Sequence, residues 1–250
     1  MLFSAVQKIT TCFCNDRGDR KCGTGTGFWL ATSQEHVHFV TNRHNIDPTM
    51  HRAELRAYRF CSASISLRAF SLKDSLPCRD VMTLELSADG IKIFYPKDGG
   101  DVVLLRGEKL WIPADPNQAL VGIPGNSLSY HRSPEILDKL FFVGFPGKQR
   151  DAAAYDLPII RSCVIASLPG IDYSEEERTI GSANTCLVEG LSFGGSSGSP
   201  VFKDFEGTLE LFGIMSGHFK GEIWGESHAG LSYLTKATSI RQIIEANKLY

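Results

Sequence analysis

Short apolar runs recur along this chain. Each is stopped by a turn, and only the last stretch keeps helical spacing. Runs of four to eight β-prone residues bounded by Gly, Pro, Asn or Asp read as strands, not helices. They fall at 27–32, 36–41, 53–60, 64–71, 81–86, 91–95 and 102–106. After a loop-rich stretch they resume at 139–145, 159–168 and 184–188, then at 201–202, 210–216 and 231–234. Residues 239–249 break the pattern. Ile240, Ile243, Ile244 and Leu249 lie near helical spacing, and Ser239 reads as the N-cap. This predicts an all-β chain with one C-terminal α-helix. With 250 residues, two small barrels or sandwiches fit better than one sheet. Residues 112–134 read as the link, dividing a unit at 1–118 from one at 119–250.

Composition excludes several classes. Hydrophobic residues are 42% and charged residues 22%, the balance of a packed globular chain. With 26 basic against 28 acidic side chains, nothing favours nucleic acid or an anionic membrane as partner. No stretch approaches the roughly 18 apolar residues that span a bilayer. Residues 1–10 lack the charged, apolar and small-residue regions of a signal peptide. The cysteines number seven: Cys12, Cys14, Cys22, Cys61, Cys78, Cys163 and Cys186. The expectation is a cytoplasmic chain with reduced thiols. Cys12, Cys14 and Cys22 are poorly spaced for zinc. No phosphate-binding loop is present, so no metal and no cofactor are expected.

Three segments carry chemistry. Gly194–Gly195–Ser196–Ser197–Gly198–Ser199–Pro200 precedes a strand. A serine nucleophile needs its oxygen exposed on a tight turn with backbone N–H groups nearby, and flanking glycines permit that backbone. Alone, the segment reads equally as a solvated Gly/Ser loop. His44 ends the apolar strand Phe39–Val40–Thr41, and an imidazole can take and return a proton at neutral pH. A lone histidine there is more often structural. Asp101 opens the apolar run Val102–Val103–Leu104–Leu105. If buried, its carboxylate needs donors, one of which an imidazole supplies; a turn aspartate is the plainer alternative. Taken together, the order His, Asp, Ser is one of the chain orders of a Ser–His–Asp triad.

At these residues the chain resembles the chymotrypsin-like serine peptidases, and among them the glutamyl endopeptidases and high-temperature-requirement proteases. The resemblance rests on six stretches in family order between about residues 23 and 220. They are Gly25–Thr26–Gly27–Phe28, Thr41–Asn42–Arg43–His44, Asp101–Val102–Val103–Leu104, Val143–Gly144–Phe145–Pro146–Gly147, Gly195 to Phe202, and Gly213–Ile214–Met215–Ser216–Gly217. It implies two Greek-key six-stranded β-barrels with the active site between them. It implies Ser197 as nucleophile, His44 as general base and Asp101 as its orienting carboxylate. The N–H groups of Gly195 and Ser197 would form the oxyanion hole.

Two departures from the family pattern shape the expectation. Ser196 stands where zymogen-activated members carry an Asp, so activation by N-terminal clipping is not expected. At the pocket base, Leu191 is not the acid that selects Lys or Arg. Ser192, Ser216, Gly217 and His218 complete the implied substrate-binding set. Met215 stands where glutamyl endopeptidases place a His, and Gly217 replaces a Trp. His218 reads either as a substrate contact or as a surface residue. An apolar or small residue before the cut is expected. The implied function is serine endopeptidase, with a protein or peptide substrate and a regulatory protein partner. The alternatives are a catalytically silent peptide binder or partner-activated latent protease, and an esterase using the same triad.

Overall fold

In the computed structural model the described residues are 2–33, 36–50, 55–74, 76–107, 117–128, 133–147, 157–173, 184–220 and 228–250. They form two β units and a C-terminal helix, the all-β class expected. A short helix α1 (Leu2–Ala5) leads into β1 (Val6–Cys14), β2 (Arg20–Ala31) and β3 (Val37–Thr41). The first unit continues with β4 (Arg59–Ser71), β5 (Pro77–Ser87), β6 (Ile91–Phe94) and β7 (Val103–Gly107). Its sheet runs β5-β4-β1-β2-β3-β7-β6. The two-residue strands β8 (Gln118–Ala119) and β9 (Ile123–Pro124) attach to β4 and β2. Six strands were expected here, and the sheet has nine. The second unit holds β10 (Lys139–Gly144), β11 (Ile159–Ile165), β12 (Thr185–Glu189), β13 (Pro200–Phe205), β14 (Thr208–Lys220) and β15 (His228–Lys236). These close as a six-stranded barrel, β10-β11-β12-β15-β14-β13.

Alternation explains why the two units stay together. A strand points successive side chains to opposite faces. Phe28 and Leu30 of β2, Val40 of β3 and Leu104 of β7 face a core shared with Val143, Phe202, Leu211 and Ile214 of the barrel. Trp29, Phe39 and Leu105 turn into the first unit's own core. Phe142, Val201 and Phe212 turn into the barrel's interior. Helix α2 (Thr238–Asn247) adds Ile240, Ile243 and Ile244 to the shared core, with Leu249 just beyond its end. The helix therefore clamps the seam between the units.

Three local expectations need correction. The N-cap of α2 is Ala237; Ser239 lies inside the helix and bonds Asp98 and Asn184 instead. A strand at 53–60 is not formed, because Leu55 to Tyr58 is a turn closed by a backbone bond and the strand starts at Arg59. Residues 53 and 54 of that run lie outside the described residues, as do 112–116 and 129–132 of the 112–134 stretch. Strand β1 escaped notice because Gln7, Thr10 and Thr11 interrupt its apolar run. Gln7 is buried all the same, donating to the Ser4 carbonyl at 2.6 Å and accepting from the Arg68 N–H at 3.2 Å.

The cysteines are also corrected. Cys12 is linked to Cys22 and Cys14 to Cys61, so four of the seven are not thiols. Cys12 and Cys22 stand directly opposite in the β1–β2 ladder. Cys61 is the extra residue of a bulge where the β1–β4 register shifts, which turns it towards Cys14. Sequence spacing does not reveal register. The reduced-thiol argument for a cytoplasmic setting therefore falls. Among the described residues no group of side chains could hold a metal ion, and no helix is long and apolar enough to cross a membrane.

Candidate active site

The site lies on the seam. His44 sits in a single 3₁₀ turn, Arg43–Asn45, immediately after β3. Asp101 sits just before β7, the strand paired with β3. Strand pairing thus brings together two residues 57 positions apart. The Asp101 carboxylate accepts twice from His44, from the backbone N–H at 3.0 Å and from Nδ1 at 2.7 Å. Only 1% of Asp101 is exposed, and a buried carboxylate requires such donors. The bond to carboxylate places the ring proton on Nδ1 and leaves Nε2 with its lone pair.

Asn42 holds the dyad from behind. Its Nδ2 donates to the Asp101 carbonyl at 2.6 Å and to Ser216 Oγ at 3.0 Å. Ser216 Oγ also shares a 2.8 Å hydrogen bond with Thr235 Oγ1. The chain Thr235–Ser216–Asn42–Asp101 ties the barrel to the carboxylate-bearing loop.

Ser197 stands on the tight turn before β13. Two glycines there are required by geometry. Gly195 has φ +93° and Gly198 has φ +90°, a region L side chains rarely enter. A Cβ on Gly195 would lie 2.3 Å from the Phe145 carbonyl, and one on Gly198 1.9 Å from the Thr26 carbonyl. The turn is pinned to the first unit. Thr26 N–H donates to the Ser197 carbonyl at 2.8 Å, and Thr26 Oγ1 to the Gly195 carbonyl at 2.7 Å. Asn45 Nδ2 reaches the same Ser197 carbonyl at 3.2 Å and Thr41 Oγ1 at 2.9 Å. Those bonds satisfy the Gly195 and Ser197 carbonyls from the first unit. Among the described residues, neither the Gly195 nor the Ser197 N–H has an acceptor.

His44 and Ser197 line one cleft of about 590 Å³, with Gly194 and Gly195 on its barrel side. The five pocket candidates lie outside its lining. Leu191 is 52% exposed, and its carbonyl accepts from Arg161. Ser192 is buried, donating to the Gly217 carbonyl at 3.4 Å and accepting from Ser232 at 3.1 Å. A Cβ on Gly217 would lie 2.3 Å from Tyr233 Oη, so the tyrosine ring takes the room a side chain would need. His218 is partly exposed, opposite Ser232 in the β14–β15 ladder. Ser216 is buried in the Asn42 network. Thr26, Asn42 and Asn45 had no assigned role in the sequence reading. Each lies inside or beside a motif, but a motif does not show what a side chain bonds.

The likeness to solved structures is extensive in coverage and low in identity. The protease Anisep from Arthrobacter nicotinovorans superposes with TM-score 0.56 at 12% identity, over 97% of this chain and 94% of that one. The active form of the Rv3671c protease from M. tuberculosis gives TM-score 0.50 at 14% identity, over 97% and 80%. No protein-family model and no curated protein matches the sequence. The chymotrypsin-like fold expected from the motifs is thus the fold observed.

Proposed function

We propose that this protein is a serine endopeptidase working through Ser197, His44 and Asp101, with units 1–118 and 119–250 each supplying one side of the site. The observation that carries the reading is the pair of hydrogen bonds from His44 to buried Asp101, with His44 and Ser197 lining one cleft. His44 Nε2 takes the Ser197 hydroxyl proton as Oγ attacks the carbonyl carbon of the scissile bond. The oxyanion forms against the Gly195 and Ser197 N–H groups. On collapse, His44 returns the proton to the leaving amine, and water then hydrolyses the acyl-enzyme by the same route. No cofactor enters these steps. The substrate is a protein or peptide.

Activation without a newly cut N-terminus is supported by Ser196. Its side chain is buried, and its Oγ accepts the Phe193 N–H at 3.3 Å, so no carboxylate waits there for an ammonium. The likeness to glutamyl endopeptidases and high-temperature-requirement proteases remains part of the proposal. So does a preference for an apolar or small residue before the cut, read from the sequence at Leu191, Ser192, Ser216, Gly217 and His218, which lie outside the lining of this cleft. The deciding experiment is reaction with a fluorophosphonate, read by intact mass, on the wild type and Ser197→Ala. A single adduct on the wild type alone is expected. An unreacted wild type would overturn the reading in favour of a silent peptide binder or a partner-dependent site.

A further inference from the structure

The cleft is lopsided in charge. Directly opposite residues of an antiparallel ladder share a face. Phe13 stands opposite Lys21, and Thr11 opposite Gly23. All four line the cleft beyond His44, where Pro48 and Leu55 add apolar surface. Lys21 is exposed, and its ammonium lies 4.8 Å from the centre of the Tyr58 ring. A cation–π contact of this kind holds the group in place without neutralising it. Among the described residues Lys21 has no carboxylate partner, and no Asp or Glu lines the cleft. The disulfides Cys12–Cys22 and Cys14–Cys61 fix the strands that carry this wall.

The chemistry orients a substrate here. The acyl carbon must lie on Ser197 with its oxygen towards the Gly195 and Ser197 N–H groups. The leaving nitrogen must face His44, which protonates it. Chain on the leaving side therefore runs past His44 onto the wall built by β1 and β2. We infer that Lys21 is a specificity-determining residue, selecting substrates with an Asp or Glu among roughly the first three residues after the cut, about 10 Å of extended chain. Phe13, Pro48 and Leu55 accept an apolar side chain beside it. This rests on the proteolytic reading above.

The test is digestion of a diverse peptide library by the wild type, Lys21→Gln, Lys21→Glu and Lys21→Arg, with cut sites read by mass spectrometry. Asp and Glu should be enriched about two- to fivefold after the cut by the wild type, the range an exposed ion pair supports. Lys21→Arg should keep that enrichment, Lys21→Gln abolish it, and Lys21→Glu turn it towards Lys and Arg. High salt should flatten all of these preferences. Cutting by the wild type and Lys21→Glu with the same profile would overturn the inference and leave the protease reading intact. No cutting of any peptide by a wild type whose folding is verified by circular dichroism would remove both.

Discussion

The Ser197 turn stands on a barrel that closes on itself, whereas His44 and Asp101 stand on a sheet whose path ends at β5 and β6. Their cysteines differ in the same sense. The barrel's Cys163 and Cys186 are buried thiols, left unlinked in its core. The sheet carries both disulfides. A closed ladder constrains every strand from both sides. The β1–β2 hairpin runs beyond the shared core, with Arg20 to Thr24 exposed, and gains its rigidity from covalent links. The site joins a wall stabilised by packing to a wall stabilised by cross-links.

The largest effect should come from breaking the seam between these regions. Gly198→Ala combines φ +90° with a Cβ only 1.9 Å from the Thr26 carbonyl. We expect at least about 4 kcal/mol of destabilisation in urea unfolding, with loss of fluorophosphonate labelling. An unchanged urea midpoint would contradict the geometry.

The disulfide asymmetry is tested next. Cys14→Ser with Cys61→Ser opens a loop of sequence separation 47. The chain-entropy relation puts the loss at about 4 kcal/mol. Cys12→Ser with Cys22→Ser, at separation 10, should lose about 3 kcal/mol. A thiol reductant should lower the wild-type Tm and leave the quadruple variant's Tm unmoved.

Acid should strike the sheet through His38 of β3. Burial, with the charge of Arg106 next, pushes its pKa from 6.5 down to about 4. The unfolded chain therefore takes up the proton first as pH falls. His38's share of stability is whole above pH 6.5 and is lost progressively towards pH 4, by at most about 3 kcal/mol. His38→Asn should flatten the dependence of the urea midpoint between pH 7 and pH 4.5. A variant as acid-sensitive as the wild type would assign that loss elsewhere.

The smallest effect sharpens the barrel's side. Burial pushes the Cys163 thiol up to about 12 and raises that of Cys186. Both should resist iodoacetamide at pH 7.5 in the native protein, while partly exposed Cys78 reacts. Peptide mapping of the alkylated protein reads this directly, and labelling of Cys163 before Cys78 would refute it.

The candidate site residues were legible because their signatures are local. Ser197 lies between glycines, His44 ends an apolar run, and Asp101 begins one. Each signature fits within a few consecutive residues. The supports were not legible in that way. Thr26 and Asn45 act on a turn more than 150 positions away, through bonds to backbone carbonyls that leave no mark in composition. Strand β1 was missed because buried polar residues are satisfied by partners elsewhere in the chain. Both disulfides were missed because pairing depends on register and on one bulge.

Periodicity by itself determined that this chain forms two β units with a C-terminal helix, since side-chain alternation dictates which faces can be buried. Local motifs singled out Ser197, His44 and Asp101 as the candidate triad. Tertiary structure alone decided that Asp101 meets His44, that Thr26 and Asn45 hold the Ser197 turn, and that Lys21 faces the cleft. These are contacts between residues far apart in sequence: pairing of β3 with β7 sets the first, and packing of one unit against the other sets the bonds of Thr26 and Asn45.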